Sequence, residues 1–287
     1  MKKIAIALAL TMMLLPAFAA CSNGEAATAE LPPVSEESAP PVAEEQPPSV
    51  EENEPQEQES PQHPQENDPD QPVTMPEVPA AAQYLKITAG SLNVRKGAGT
   101  GYSSLGTLEK NVLLQYGGKA GEWYETRYLN QKAFIHSAYA EIVTLEKGSA
   151  EVERVIEEGL NVLGTPYVYG ATRLHDGRGN LLKGFSTAKF DCSSLMQYIF
   201  YKGADRLLDV TTRTQILQGR EVTEIKRGDL LFFTNASRKN NTGLERVGHV
   251  ALYLGDNYIL HTASDYAKIE QISSTRWSYF IAARRML

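Results

Sequence analysis

Apolar residues are distributed in three distinct ways along this chain. Residues 4–15 are a continuous apolar run behind Lys2 and Lys3. From 84 to 145 the pattern is short and alternating. Leu85-Lys86-Ile87-Thr88 alternates, Leu92-Asn93-Val94 follows a Gly-Ser turn, and Val112-Leu113-Leu114-Gln115-Tyr116 stops at Gly117-Gly118. Trp123 to Tyr128 alternates again, ahead of Ala133-Phe134-Ile135-His136. Short alternating runs separated by glycine turns predict a small all-β barrel. Beyond Ser149 the period changes. Val152, Val155, Ile156, Leu160 and Leu163 recur at helical spacing, with Ser149 as cap and Gly164 and Pro166 as the stop. A second helix opens at Cys192, places Leu195, Met196, Ile199 and Phe200 on one face and stops at Gly203. Strands are predicted over 229–234, 247–254, 258–262 and 279–283, with Gly255-Asp256-Asn257 as a hairpin turn between the second and third. Helices followed by antiparallel strands give an α+β domain over 149–287.

Between the apolar run and the first strand lies a segment of opposite character. Residues 22–82 hold thirteen of the fifteen prolines and fifteen Asp plus Glu, with no Lys or Arg. Such a segment has little apolar surface to bury and repels itself, so residues 21–83 are expected to be a disordered tether. Its reach is about 45 Å as a flexible coil and about 190 Å if polyproline-like. The preceding apolar run is short for a bilayer span and ends in Phe18-Ala19-Ala20-Cys21. It resembles a bacterial lipoprotein signal over residues 1–20, which implies export and a lipid on Cys21. The alternative is secretion after Ala20 with Cys21 left free. Localisation is then the outer face of the cytoplasmic membrane, with the folded part reaching into the cell wall. The whole chain carries −7, yet residues 83–287 carry +6, from 26 Lys plus Arg against 20 Asp plus Glu. That balance suits an anionic wall or membrane surface, or simply solubility. Nucleic acid is not expected as a partner, because no basic helix or stripe is present.

The chain has two cysteines, and Cys21 belongs to the export signal. Cys192 alone can form neither an internal disulfide nor a thiolate zinc site. It is either a small buried hydrophobe or a nucleophile. A nucleophilic thiol needs a lowered pKa, which a helix N-terminus and a neighbouring imidazole would supply. His249 lies on an apolar strand and His261 on its hairpin partner. A turn centred near Gly255 places the two opposite each other, and one centred a residue later places them one diagonal step apart. Nucleophile, base and orienting group would then share one site. Asp229 reads as a turn residue, and His136 and His175 have no comparable partners.

Two family resemblances complete the picture. Leu92-Asn93-Val94-Arg95-Lys96-Gly97-Ala98-Gly99-Thr100 and Gly121-Glu122-Trp123-Tyr124 resemble bacterial SH3 domains, implying a wall-binding or substrate-positioning module over 84–145. Four further stretches are similar to the NlpC-type cell-wall peptidases, papain-like cysteine enzymes. They are Gly164-Thr165-Pro166-Tyr167-Val168-Tyr169-Gly170, Phe190-Asp191-Cys192-Ser193-Ser194-Leu195, Arg227-Gly228-Asp229-Leu230-Leu231-Phe232-Phe233, and Gly248-His249-Val250-Ala251-Leu252-Tyr253-Leu254-Gly255 running on to His261. The resemblance implies Cys192 as nucleophile, His249 as general base and His261 as the residue that orients it. It implies Tyr167 near the oxyanion or substrate amine, and Asp191 and Ser193 lining a pocket for the free N-terminus of a stem peptide. The implied reaction is hydrolysis of the γ-D-glutamyl to diamino acid bond in peptidoglycan stems, by a monomer without cofactor or metal. The other readings are a catalytically silent wall-binding lipoprotein or scaffold, and a Cys-His acyl or amide transferase. Two departures from the family stand out: Ser194 replaces a glycine, and a longer polar loop runs between Gly170 and Phe190.

Overall fold

The structure, a computed structural model, describes residues 81–287. The expected signal, Cys21 and all but the last three residues of the expected tether lie outside the described residues. The first region holds eight strands: β1 (Ala81–Ile87), β2 (Ser91–Arg95), β3 (Ser104–Glu109), β4 (Leu113–Gln115), β5 (Gly118–Ala120), β6 (Trp123–Tyr128), β7 (Gln131–His136) and β8 (Ala140–Glu146). Five of them form a sheet in the order β3-β2-β7-β6-β5, and β8-β1-β4 lie in a second sheet. β1 begins at Ala81, inside the expected tether, because Ala81, Ala82 and Gln83 pair with Glu146, Leu145 and Thr144 of β8.

The second region opens with α1 (Ala150–Asn161) and α2 (Cys192–Ala204), followed by the single turn α3 (Thr212–Gln215). Strands β9 (Arg220–Val222), β10 (Leu230–Phe233), β11 (His249–Gly255), β12 (Tyr258–Thr262), β13 (Ala267–Gln271) and β14 (Phe280–Arg285) complete it, with α4 (Ser274–Ser278) before the last strand. The architecture is α+β, helices against an antiparallel sheet, preceded by the small β domain. Ser149 caps α1 by accepting from the Val152 N–H at 3.2 Å, and Glu151 and Glu153 in the first turn complement the helix dipole. Helix α2 buries Leu195, Met196, Ile199 and Phe200 completely, each contributing about 1.5–3 kcal/mol of apolar burial. It crosses α1 closely at Gly203, where a Cβ would meet the Val155 backbone at 2.5 Å.

The two regions are not beads on a string. β13 pairs with β12 and, through Ile269 opposite Leu113, with β4. The sheets therefore fuse into one of nine strands, ordered β8-β1-β4-β13-β12-β11-β10-β14-β9. Arg227 adds a polar tie. Its guanidinium makes two bonds to Glu153 of α1 (2.6 and 2.9 Å), one to the Leu254 carbonyl of β11 (2.6 Å) and one to the Tyr84 hydroxyl of β1 (2.8 Å). The side chain is only 6% exposed. Replacing Arg227 with Ala strands a half-buried carboxylate, a carbonyl and a phenol, and should cost about 3 kcal/mol. Differential scanning calorimetry of the variant should show a clearly lower Tm, and Arg227→Lys should recover less than half of the loss because a compact ammonium cannot reproduce the planar fork that makes four bonds to three separate partners.

Candidate active site

Helix α2 presents Cys192 because Asp191 stops the preceding extended segment and caps the helix. The Asp191 carboxylate accepts from the Ser194 N–H at 2.8 Å, and Ser194 Oγ accepts from the Asp191 N–H at 2.8 Å, a reciprocal capping box. Ser194 is fully buried. The serine in place of the family glycine thus closes the helix start. Cys192 follows as the first helical residue and carries one of the N–H groups that lack an intrahelical acceptor. Residues 166–168 run alongside Phe190, with the Val168 N–H donating to the Phe190 carbonyl at 2.8 Å, which brings Tyr167 to the same place. Two clefts, of about 160 and about 360 Å³, meet there and share Cys192, Tyr167 and Gly248 in their walls.

The hairpin behind the thiol supplies the histidines. Leu252 pairs with Leu260, and an irregularity between Tyr253 and Gly255 shifts the turn, so His249 and His261 stand a diagonal step apart. Their rings still meet: His249 Nε2 lies 3.0 Å from His261 Nδ1. His261 Nε2 in turn lies 3.0 Å from Glu270 Oε1 on β13. Glu270 is the residue that the sequence reading missed. Burial alone would raise its carboxyl, but the hydrogen bond from His261 and the charges of Lys268 and Arg276 bring it down to about 2. It is therefore a carboxylate and accepts only.

That charge fixes the proton positions along the line. Burial lowers both imidazoles, with His261 and Arg276 adding to the effect on His249. Neutral His261 must donate from Nε2 to Glu270, which leaves its Nδ1 as acceptor. His249 must then donate from Nε2 to His261, which leaves His249 Nδ1 unprotonated. The arrangement can orient an imidazole and hold its basic nitrogen ready.

The thiol departs from expectation. Burial pushes Cys192 up to about 12, and the Asp191 charge adds to this; N–H bonds from Val250 and Ser193 and the Arg173 charge oppose it without winning. The helix start does not yield a resting thiolate here, because the Cys192 side chain is nearly dry and its cap residue is an anion. Tyr167 is raised chiefly by burial, with the Asp191 charge adding to it, so its hydroxyl remains a donor.

The polar loop after Gly170 is anchored to the site. Arg173 reaches Asp191 Oδ2 at 2.9 Å and Ser193 Oγ at 3.0 Å, occupying the pair expected to receive a substrate amine. His175 is fully buried, and its backbone N–H donates to Gln197 of α2 at 3.3 Å. Asp229 is a turn residue, accepting from the Lys226 N–H at 2.7 Å and from Arg285. His136 caps the short 3-10 turn Ser137–Tyr139 and stacks edge-on against Trp123, away from the cysteine.

Comparison with known proteins identifies two domains in the chain. The NlpC/P60 family model matches residues 164–286, and the bacterial SH3 domain model matches residues 90–141. Residues 164–286 form an NlpC/P60 family domain. Among curated relatives, the peptidoglycan endopeptidase RipA of Mycolicibacterium smegmatis is 30% identical over 47% of this chain and 26% of its own length. The γ-D-glutamyl-L-lysine dipeptidyl-peptidase of Bacillus subtilis is 28% identical over 56% of this chain and 48% of its own. The chain spans less than half the length of either. An NlpC/P60 family protein of Bacillus cereus, of known structure, is 22% identical, with a TM-score of 0.39 over 72% of this chain and 64% of that one.

Glu270→Gln tests the proton order along the NlpC/P60 domain's two histidines. Nitrogen-15 NMR of the wild type should find His249 protonated on Nε2, and the variant should show a mixture of tautomers. Losing a charge-assisted bond of about 1.5–3 kcal/mol predicts a fall of roughly 10- to 100-fold in kcat with KM little changed.

Proposed function

We propose that this protein is a cell-wall hydrolase, a cysteine endopeptidase that cleaves the γ-D-glutamyl to diamino acid bond of peptidoglycan stem peptides. The observation that carries this reading is the line His249–His261–Glu270, anchored by a carboxylate and ending beside a buried thiol where two clefts meet. The names of the relatives support the substrate class, and the +6 balance of residues 83–287 suits an anionic polymer.

In this reading the stem lies across both clefts with its scissile carbonyl at Cys192. The thiol and imidazole are both neutral at rest, so the Cys192 proton passes to His249 Nδ1 as sulfur bonds to the carbonyl carbon. The imidazolium that forms is stabilised through His261 by Glu270. The Cys192 N–H and the Tyr167 hydroxyl donate to the oxyanion. His249 returns its proton to the leaving amine, and the carbon–nitrogen bond breaks to leave a thioester. Water, deprotonated by His249, then attacks the thioester, and the proton returns to Cys192 as the acid leaves. Acyl transfer to an amine would use the same steps with a different acceptor.

One observation favours a second reading, a silent wall-binding protein: the thiol is pushed up to about 12 instead of down. Mass spectrometry of defined muropeptides separates the two. The full chain should cleave each stem after its γ-D-Glu, leaving L-Ala-γ-D-Glu on its sugar where the muropeptide carries one, and Cys192→Ala should not, at unchanged Tm. Because burial depresses His249, kcat/KM should rise with pH along an acid limb centred below the ordinary histidine value of 6.5. Full cleavage by the alanine variant sinks the mechanism, and no cleavage of lysine or diaminopimelate stems by the intact chain favours the binding reading.

We propose further that the protein is exported and held at the membrane by a lipid on Cys21. In cells fed radiolabelled palmitate, the wild type should carry label and fractionate with membranes, and Cys21→Ser should lose both. Label persisting on the serine variant would rule out that anchor.

A further inference from the structure

The smaller cleft beside Cys192 has an acidic residue that is already fully engaged. Asp191 Oδ1 accepts from the Ser194 N–H (2.8 Å) and the Ser193 hydroxyl (3.1 Å). Asp191 Oδ2 accepts from the Gly170 N–H (3.1 Å) and forms an ion pair with Arg173 Nη2 (2.9 Å). Three hydrogen-bond donors and one guanidinium thus occupy the surroundings of a group with about four lone-pair sites. The side chain is 5% exposed, so nothing else approaches it easily.

Arg173 is held as firmly. Its Nε donates to the Val210 carbonyl at 2.8 Å, its Nη1 to the Ala171 carbonyl at 2.5 Å, and its Nη2 to Ser193 Oγ at 3.0 Å while pairing in charge with Asp191. One Nη1–H is left over, and the guanidinium lines the cleft at 19% exposure. Arg213 and Arg238 line the same cleft, and both pair with Glu245, which does not. The wall thus offers cationic donors and no available acceptor carboxylate. An ammonium group brings a positive charge and donors only, and the wall sets neutral hydroxyls such as those of Tyr167 and Thr212, but no unpaired carboxylate, against three guanidinium groups of its own sign. An acylated amine brings no charge and a carbonyl oxygen, which can accept from a guanidinium.

We propose that this cleft selects stem peptides whose amino end is acylated, as when a stem is still joined by an amide to its glycan, and that Arg173 sets the preference. The inference rests on the endopeptidase reading above. It makes the loop between Gly170 and Phe190 a specificity element, since that loop carries Arg173 and is tied to α2 by the His175 N–H donating to Gln197.

Two synthetic stems test it: L-Ala-γ-D-Glu-L-Lys-D-Ala with a free amino end, and the same peptide N-acetylated, each also made with diaminopimelate. Binding is measured by calorimetry to the full-length Cys192→Ala chain, and cleavage with the wild type. The acetylated stem should bind and be cleaved at least about ten times better. Arg173→Ala, made in both backgrounds, should erase or reverse that ratio by freeing Asp191, and Arg173→Lys, which keeps the charge, should retain most of it. A free-amine stem bound as well or better, a ratio unmoved in a folded Arg173→Ala, or no binding of either stem would overturn the proposal. Preferential binding of the acetylated stem with no cleavage by the wild type would leave it standing and remove the endopeptidase reading instead.

Discussion

Almost everything at this site depends on how one carboxylate, that of Asp191, is satisfied. It caps α2, and so decides where the helix begins and which residue occupies its first turn. It closes a capping box with Ser194, draws in the Gly170 N–H, and holds Arg173. Helix α2, through Ser193 and Ser194, and the loop after Tyr169, through Gly170 and Arg173, therefore converge on two oxygen atoms at the base of the cleft. A buried anion of this kind is tolerable only when fully bonded, since each missing donor would leave a desolvated charge. The thiol next to it is raised chiefly by its own burial, and the Asp191 charge adds to this. The one residue therefore acts on Cys192 in opposite senses: as cap it presents the sulfur, and as anion it reinforces the burial that keeps the sulfur protonated.

The second support comes from across the molecule. Glu270 sits on β13, the strand that joins the sheet of the NlpC/P60 domain to β4 of the SH3 region. Next to it, Lys268 reaches Asp265 at 2.8 Å and Glu109 of β3 at 3.5 Å. The carboxylate that orders the two imidazoles is therefore carried on a strand flanked on one side by His261's strand and on the other by the SH3 domain. Removing the SH3 domain would strip Leu113 from Ile269 and leave β13 as an edge beside Glu270, so that domain is part of the scaffold of the site as well as an addition to it.

Much of this was legible in the sequence, and the parts that were not share a cause. Helices α1 and α2 announce themselves through periodicity and caps, and β12 through its β-branched and aliphatic run. The cysteine and two histidines stand out because such residues are rare in apolar segments. Glu270 does not stand out: Ala267-Lys268-Ile269-Glu270-Gln271 alternates like any surface strand, and only the pairing with β12 turns its acid towards His261. The alternation was the available signal, and it pointed to a strand, not to chemistry. Arg173 was equally silent, one cation in a polar loop, because its partner is eighteen residues away and meets it only through the fold. Short elements such as β3, β5, β8, β9 and α4 are specified by their neighbours more than by local pattern. The resting thiol was misjudged for the same reason: a helix N-terminus is visible in sequence, and burial is not.

A neutral resting pair also has a physical logic. A general base must be unprotonated before the reaction and a cation partway through it. In the mechanism proposed above, burial of His249 would secure the first condition, and Glu270, one ring beyond it, would provide for the second by stabilising positive charge on the pair once a proton arrives. Arg276, which bonds Glu270 at 3.0 Å, tempers that stabilisation and prevents the carboxylate from charging the histidines prematurely. Were the carboxylate adjacent to His249, the base would be protonated at rest; were it absent, the imidazolium would form in a dry pocket with nothing to offset it. A histidine interposed between base and acid gives the intermediate case, in which the charge is felt mainly when it is needed.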